Sequence, residues 1–235
     1  LEPRFAALAD GLARLRPDIV CLQEASIEPR ETRSQAELIA ARAGYAHHLE
    51  LRDLAILSRH PIVRSRIAPL PEFPGDGPRQ VLMAEMRVGD GGLIVANTHL
   101  AYPPGMTRER LAQVEALLDA VDRYCSATGI ESVVLCGDFN DVPDSPAIRR
   151  MMDPVTGFHD AFADRHPGQA GFTYARANRY ADPATTVDQR IDYIFASRDL
   201  VSKTCAVVFD GGAGLQVASD HYGVCCDLSR RRHEA

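Results

Sequence analysis

Acidic, amide and histidine side chains recur at the ends of apolar segments in this sequence. They are, in chain order, Glu24, His99, Asp138, Asn140, Asp192, Asp220 and His221. The end of a strand holds its side chain at one edge of a sheet, so several strand ends can converge on a single pocket. One Asp in such a place is commonly a turn former or a helix cap. The repetition of the pattern predicts a shared site.

These residue types favour phosphate chemistry that depends on a metal. Oxygen ligands without a cysteine cluster suit Mg²⁺ or Mn²⁺, and Mg²⁺ takes one or two carboxylates while water and substrate phosphate complete its shell. Glu24 is a candidate ligand. The two histidines, His99 and His221, suit acid–base work near neutral pH, and we expect Asp192 to orient His221. The set is typical of in-line attack of water on phosphorus.

The spacing of apolar residues predicts the elements that position this set. Helices are expected over 3–16 and 34–43, and a long helix is expected to run from a Thr107 cap to Gly129 with Leu111, Val114, Leu118, Val121 and Cys125 facing the core. Strands are expected at 18–24, 45–50, 54–58, 62–67, 80–88, 93–99, 132–136, 191–196, 205–209 and 223–228. A short helix starts at Ser145, and residues 153–189 are rich in loops. Hairpins mixed with strand–helix–strand units favour a mixed sheet.

Composition restricts the class of protein. The chain has 235 residues, 46% of them hydrophobic, which suits one α/β domain with a large core. Its apolar runs fall short of the roughly 20 residues that a membrane span needs. A net charge of −6 makes long duplex DNA an unfavourable partner. The six cysteines show no C-x-x-C spacing, and we interpret them as free, buried thiols of a cytoplasmic protein. A disulfide or zinc role is the less favoured alternative.

Five segments together resemble a known family. They are DIVCLQE at 18–24, NTH at 97–99, GDFN at 137–140, RIDYIF at 190–195 and SDH at 219–221. In this order they resemble the successive motifs of the endonuclease/exonuclease/phosphatase family, and the chain is identified as a bacterial-type member of unassigned substrate. The resemblance implies an α/β, DNase I-like fold, which is a four-layer sandwich of two packed mixed β-sheets flanked by helices.

The resemblance also implies an activity and roles for individual residues. We expect a hydrolase of phosphate esters, a phosphodiesterase or phosphatase, that uses Mg²⁺ or Mn²⁺ and forms no covalent intermediate. Glu24 and Asp220 would bind the metal, His99 would contact the phosphate, and Asp138 and Asn140 would lie beside the attacked phosphorus. Asp192 would orient His221. Either Asp138 or His221 would take the proton of the attacking water.

One departure from the family pattern concerns the first strand. Family members usually begin with a central strand that ends in Asn, whereas this sequence starts at Leu1 in what should be the following helix. We therefore expect residues 1–235 to form a single domain that lacks its first strand, with that strand and its Asn shortly upstream of Leu1. The alternatives are a catalytically impaired binding or scaffold protein on the same fold, or a lipid phosphodiesterase similar to sphingomyelinases.

Substrate contacts are less well defined by the sequence. Tyr174 and Asn178 lie in the loop before Asp192. This position is equally consistent with contacts to the substrate and with an irregular loop that only covers part of the fold. Asp53 could support His99, but the pattern favours a plain surface residue. We expect the substrate to be a small phosphate ester, and the sequence indicates no particular oligomeric state.

Overall fold

A computed structural model describes residues 2–25 and 33–231 of the chain. The helices in these ranges are α1 (Glu2–Leu15), α2 (Gln35–Ala43), α3 (Thr107–Thr128), α4 (Pro146–Met151) and α5 (Ala161–Arg165). The strands are β1 (Ile19–Leu22), β2 (His47–Leu51), β3 (Leu54–Ser58), β4 (Ile62–Pro69), β5 (Gln80–Val88), β6 (Gly91–His99), β7 (Val133–Asp138), β8 (Phe158–Asp160), β9 (Asp192–Ser197), β10 (Leu200–Val208) and β11 (Gly223–Arg230).

The largest sheet has six strands in the order β4-β5-β6-β7-β9-β8. Strands β6 and β7 are parallel and are connected through α3, while the other neighbours in this sheet are antiparallel. A crossover helix is the usual connection between parallel neighbours, because a tight turn can join only antiparallel strands. The mixed sheet predicted from the sequence is confirmed.

A second layer of strands packs on this sheet. It consists of the three-stranded sheet β1-β3-β2 and the two-stranded sheet β10-β11, and a buried cluster that includes Ile56, Leu82 and Val95 lies between the layers. Helices α3 and α4 cover the outer face of the six-stranded sheet, and α1 and α2 cover the second layer. Apolar side chains on both faces of each strand layer require this cover. The expected order of helix, sheet, sheet and helix is confirmed.

The buried face of α3 is broader than the predicted stripe. Val114 and Val121 are buried as expected, and Leu118 and Cys125 are partly buried against the same core. The buried face also includes Arg110, Gln113, Leu117, Ala120 and Tyr124. Gln113 accepts a hydrogen bond from the Ala101 amide at 2.9 Å and donates to the Pro71 carbonyl at 3.1 Å. Partners distant in sequence make it favourable to bury these polar groups, and apolar spacing alone does not reveal them.

Two local predictions were wrong: the N-cap of α3 and the absence of regular elements in the loop-rich region. Met106, not Thr107, is the N-cap of α3, and it makes no side-chain capping bond. Strand β8 and helix α5 lie inside the region expected to be loops. Helix α5 is short, and the Asp160 side chain caps it by accepting from the amides of Phe162 and Ala163. Tertiary contacts stabilise elements this short, so their periodicity is too brief to detect.

The cysteines also correct an expectation. Cys205 on β10 and Cys226 on β11 face each other in register and are joined by a disulfide, so not all six are free thiols. Cys21, Cys125, Cys136 and Cys225 are free. Over the residues that the structure describes, no helix has both the length and the apolar composition to cross a membrane. A cytoplasmic location stays a prediction.

Candidate active site

Three neighbouring strands of the six-stranded sheet bring their polar residues to one edge. In the strand register His99 lies opposite Asp138, and Asp138 lies opposite Asp192. Gly137 precedes Asp138 where a Cβ atom would collide with the Thr98 carbonyl oxygen. A residue without a side chain therefore lets β6 and β7 approach closely at this edge.

His99 is held between two carboxylates. Its Nδ1 atom lies 3.2 Å from Asp53 Oδ2, and its Nε2 atom lies 3.6 Å from Asp138 Oδ2. The hydrogen bond from His99 lowers the pKa of Asp53, although burial opposes that change. Asp53 is thus a partner of His99, and the interpretation as a plain surface residue was wrong. The bond fixes the ring so that Nε2 faces the centre of the site.

Asp138 is the buried centre of the arrangement. Its Oδ1 atom accepts the Asn140 amide at 2.8 Å, and Oδ2 lies 4.0 Å from His221 Nδ1. Burial and the nearby Asp192 carboxylate raise the pKa of Asp138 to about 7, and the two histidines oppose that rise. A carboxyl group with such a pKa can take and release a proton near neutral pH.

His221 comes from the segment before β11 and meets Asp192 at the start of β9. Its Nδ1 atom lies 2.9 Å from Asp192 Oδ2. Burial disfavours the charged ring, but the hydrogen bond to Asp192 and the charges of Asp192, Asp138 and Asp220 raise the pKa of His221 to about 9. The oxygen of Asp192 therefore holds the orientation of the imidazole and stabilises its protonated form.

Asn140 follows β7 in a left-handed backbone conformation, with φ of 50°. Its side-chain amide donates to the Leu100 carbonyl at 3.1 Å, and no described residue donates a hydrogen bond to its Oδ1 atom. Asn tolerates this backbone region better than most residues do. The side-chain oxygen is therefore available beside Asp138 for a metal or a substrate.

Glu24 lies near the His99 end of the site. The side chain of the preceding residue, Gln23, donates to Asn97 Oδ1 at 2.6 Å, and the amide of the following residue, Ala25, donates to the Asp53 carbonyl at 2.9 Å. Glu24 itself is exposed and has φ of 58°. It lies outside the close group of donor atoms formed by Asp138, Asp192 and His221. Its role as a metal ligand stays a prediction.

Asp220 has a cationic partner in the structure. Its Oδ1 atom receives a hydrogen bond from Arg4 Nη2 at 3.2 Å and another from the Ser219 hydroxyl at 3.1 Å. The Asp220 side chain is 44% exposed and, like Glu24, is not part of the close donor group. A metal would compete with Arg4 for this oxygen.

The two candidate substrate residues support His221 in different ways. The Tyr174 ring lies 4.8 Å from the His221 ring, centroid to centroid. Asn178 is only 2% exposed, and its amide donates to the carbonyls of Ser219 and Asp220, both at 2.9 Å. Its side chain therefore holds the backbone just before His221 and would have to break these bonds to reach a substrate.

Two residues to which the sequence analysis gave no role hold the backbone around the site through hydrogen bonds. The buried Asn97 amide donates to the carbonyls of Leu22 and Ala55 and so connects β6 with the second strand layer. The buried Thr173 hydroxyl accepts the amides of Ile191 and Asp192. An Asn inside an otherwise apolar strand was a visible signal, since a buried amide requires partners.

The donor set fits a hard divalent cation. Ligand atoms of Asp138, Asp192 and His221 lie within 4.8 Å of one another, and the backbone amide of Asn140 donates to Asp138 Oδ1. Two carboxylates this close repel each other unless one is protonated or a cation lies between them. Carboxylate and amide oxygens suit Mg²⁺ or Mn²⁺, whereas imidazole suits other transition metals, and Nδ1 of His221 is already bonded to Asp192.

Comparison with known proteins agrees with this geometry. A model of the endonuclease/exonuclease/phosphatase family matches residues 1–221. Human protein angel homolog 1 is 30% identical over 195 residues, which cover 73% of this chain but only 29% of that protein.

Two solved structures share the fold. TDP2 from Danio rerio, complexed with single-strand DNA product, has a TM-score of 0.80 at 21% identity and covers 97% of this chain and 92% of its own. A mannosyl-6-phosphatase from Bacteroides thetaiotaomicron has a TM-score of 0.78 at 17% identity, with 97% and 91% covered. The DNase I-like fold is therefore confirmed, and the chain belongs to the endonuclease/exonuclease/phosphatase family.

Proposed function

We propose that this protein is a hydrolase of phosphate esters that requires Mg²⁺ or Mn²⁺ and directs a water molecule at phosphorus. The observation that carries the proposal is the position of the Asp138 carboxylate between two histidines, 3.6 Å from His99 Nε2 and 4.0 Å from His221 Nδ1. Each histidine has its own carboxylate partner, Asp53 or Asp192. A scaffold protein would not require such an arrangement.

We infer that residues at one end of the site would accept a proton from the attacking water, and residues at the other end would bind the phosphate. Asp138 and His221 are close enough to act as one proton-accepting unit for the attacking water, with the proton shared between them. Asp192 keeps His221 in place. His99, oriented by Asp53, would donate from Nε2 to a phosphate oxygen and stabilise the charge that develops there.

A divalent cation, when bound, would neutralise phosphate oxygens and the charge of the leaving group. Glu24 and the Asn140 oxygen are the groups that we propose would hold it, and Asp220 would contribute only after releasing Arg4. Asp138 and His99 are buried, which strengthens the electrostatic effect of these two groups on a phosphate.

We further propose that the substrate is small or single-stranded. The net charge of −6 repels a long polyanion. The structurally similar proteins include one complexed with single-strand DNA product and one named as a sugar phosphatase, so both phosphodiesters and phosphomonoesters belong among the candidates. Because the chain spans less than a third of the human relative's length, that relative's name does not decide between them.

The test is a panel of phosphate esters with each of several metals. Nucleotides, sugar phosphates, inositol phosphates, a short single-stranded oligonucleotide and a choline phospholipid would each be incubated with Mg²⁺, Mn²⁺, Ca²⁺ or EDTA. We expect turnover of at least one soluble ester with Mg²⁺ or Mn²⁺ and none with EDTA. Asp138→Ala should abolish that turnover, while the exposed turn variant Asp90→Asn should retain it. Absence of turnover across the panel would favour the scaffold alternative, and selective turnover of the phospholipid would favour the lipid alternative.

A further inference from the structure

Two loops meet beside the His99 end of the site. One joins β4 to β5 and the other joins β6 to α3. The first is closed by a bond from the Leu70 amide to the Arg79 carbonyl at 2.9 Å. It is tied to α3 by the Gln113 amide, which donates to the Pro71 carbonyl at 3.1 Å. These bonds fix the backbone of Arg79, which directly precedes β5.

The Arg79 guanidinium is rigidly held. Its Nε atom donates to Asp76 Oδ2 at 2.8 Å, and its Nη2 atom donates to Asp76 Oδ1 at 2.6 Å. The Arg79 side chain is 10% exposed and the Asp76 side chain 1%. Such a two-point contact fixes the plane of the guanidinium group, which an exposed ion pair would not do.

Tyr102 covers this group from the other loop. The centre of the Arg79 guanidinium lies 5.8 Å from the Tyr102 ring centroid, while the ring itself is 63% exposed. Among the described residues no acceptor is bonded to Nη1 of Arg79. Its two N–H groups are therefore uncommitted, although the rest of the side chain is fixed.

Arg79 lies beside the end of β6 that carries His99. In the β5–β6 register Val81 pairs with Thr98, and the Gln80 carbonyl accepts a hydrogen bond from the Thr98 hydroxyl at 3.0 Å. Arg79 directly precedes Gln80 and is therefore at the same edge of the sheet as His99. An anion bound by its free N–H groups would be a neighbour of the reacting phosphate and not that phosphate itself.

We propose that Arg79 is a specificity-determining residue that binds a second phosphate group of the substrate, next to the ester that is hydrolysed. The inference rests on the proposed function. Asp76 positions the guanidinium, Tyr102 shields one of its faces, and Nη1 presents two donors to the phosphate oxygens. Substrates that carry two nearby phosphates would be preferred over matched substrates that carry one.

The test compares a dinucleoside monophosphate with the same molecule carrying a 5′-phosphate. Wild type should favour the second substrate by about tenfold or more in kcat/KM, because Arg79 would form a charge-assisted hydrogen bond with the added phosphate; tenfold corresponds to about 1.4 kcal/mol. Arg79→Met should reduce this preference to near one, mainly through KM, and Arg79→Lys should retain part of it. Arg87→Met, at an exposed position on β5, is the matched control and should leave the preference unchanged.

Binding measurements separate this proposal from the proposed function. Calorimetry with methylenebisphosphonate and methylphosphonate in metal-free buffer needs no turnover. We expect tighter binding of the bisphosphonate to wild type and to Arg87→Met, with the difference lost in Arg79→Met at an unchanged Tm. Equal binding of both probes by wild type would overturn the proposal. So would an Arg79→Met variant that keeps the bisphosphonate preference, or one that lowers kcat for both substrates equally, because Arg79 would then only brace the loop.

Discussion

Nδ1 of His221 lies 2.9 Å from Oδ2 of Asp192, and the two residues come from neighbouring regions of different sheets. Asp192 opens β9 in the six-stranded sheet, and His221 precedes β11 in the two-stranded sheet. The bond therefore joins the two strand layers at the site. Because Asp192 is itself opposite Asp138 in the β7–β9 register, one rigid strand pair positions both partners of the histidine.

The Asp192–His221 bond predicts a change in both pKa and rate. Asp192→Asn removes the charge that stabilises the imidazolium, so the pKa of His221 should fall from about 9 toward or below its ordinary value. Two-dimensional NMR titration of the histidine ring in metal-free protein measures this directly. The kcat of Asp192→Asn should fall less than that of His221→Ala, which we expect to lose about a hundredfold or more.

The raised pKa of His221 also makes the free energy of unfolding depend on pH. A histidine whose pKa is higher in the folded state stabilises that state fully below its unfolded pKa, and the contribution disappears as the pH rises through the folded value. For metal-free wild type, the stabilisation from His221 should be present below about pH 6.5 and absent above about pH 9. The Asp192→Asn variant should show a smaller pH dependence, because only the charges of Asp138 and Asp220 still raise the pKa of His221. If His221 titrates at the same pH in both proteins, Asp192 does not act through the imidazole.

The metal site gives a prediction that separates its two proposed acidic ligands. Glu24 is exposed, and Asp220 already accepts from Arg4. Glu24→Gln should therefore raise the Mg²⁺ concentration needed for half-maximal activity by about tenfold or more, whereas Asp220→Asn should raise it less. This assumes that one lost carboxylate ligand weakens metal binding by roughly 1.4 kcal/mol or more. Titrating Mg²⁺ into EDTA-stripped protein at saturating substrate gives both values. An unchanged Mg²⁺ requirement in Glu24→Gln would remove Glu24 from the ligand set.

Much of the site could be predicted because its residues terminate strands. The alternation and turn signals around 93–99, 132–138 and 191–196 placed His99, Asp138 and Asp192 at strand ends, and a sheet edge then brings such ends together. Asp53 was misjudged because its partner, His99, lies 46 residues away. The roles of Asn178 and Arg79 depend on loop conformations, which local periodicity does not encode.

A nucleic-acid prediction follows from the charge of the chain. With 32 acidic and 26 basic residues, the protein should bind long duplex DNA weakly at physiological salt, because few phosphates are neutralised and few counterions are released. Fluorescence anisotropy with a labelled duplex at several salt concentrations measures both the affinity and its salt dependence. Tight binding with a steep loss of affinity as salt increases would contradict the prediction.

The last prediction concerns the edges of two strands. Among the described strands, β1 pairs only with β3 and β11 pairs only with β10. Val20 on β1 and Val208 on β10 pack against the same buried cluster beneath α1, which includes Leu12 and Phe209. We propose that these two edges are open to pairing with one further strand. A strand added there would satisfy N–H and C=O groups of β1 and β11, and each such hydrogen bond contributes about 0.5 to 1.5 kcal/mol.

A longer version of the chain whose added segment pairs with both edges should therefore unfold at a higher temperature than residues 1–235 alone. Hydrogen exchange at the β1 and β11 amides should slow in that longer protein, since pairing protects them. A Gly/Ser segment of the same length is the control, because it does not pair and should leave both Tm and exchange unchanged. Equal Tm and exchange rates with and without a segment able to form a strand would show that β1 and β11 are true edges of the fold.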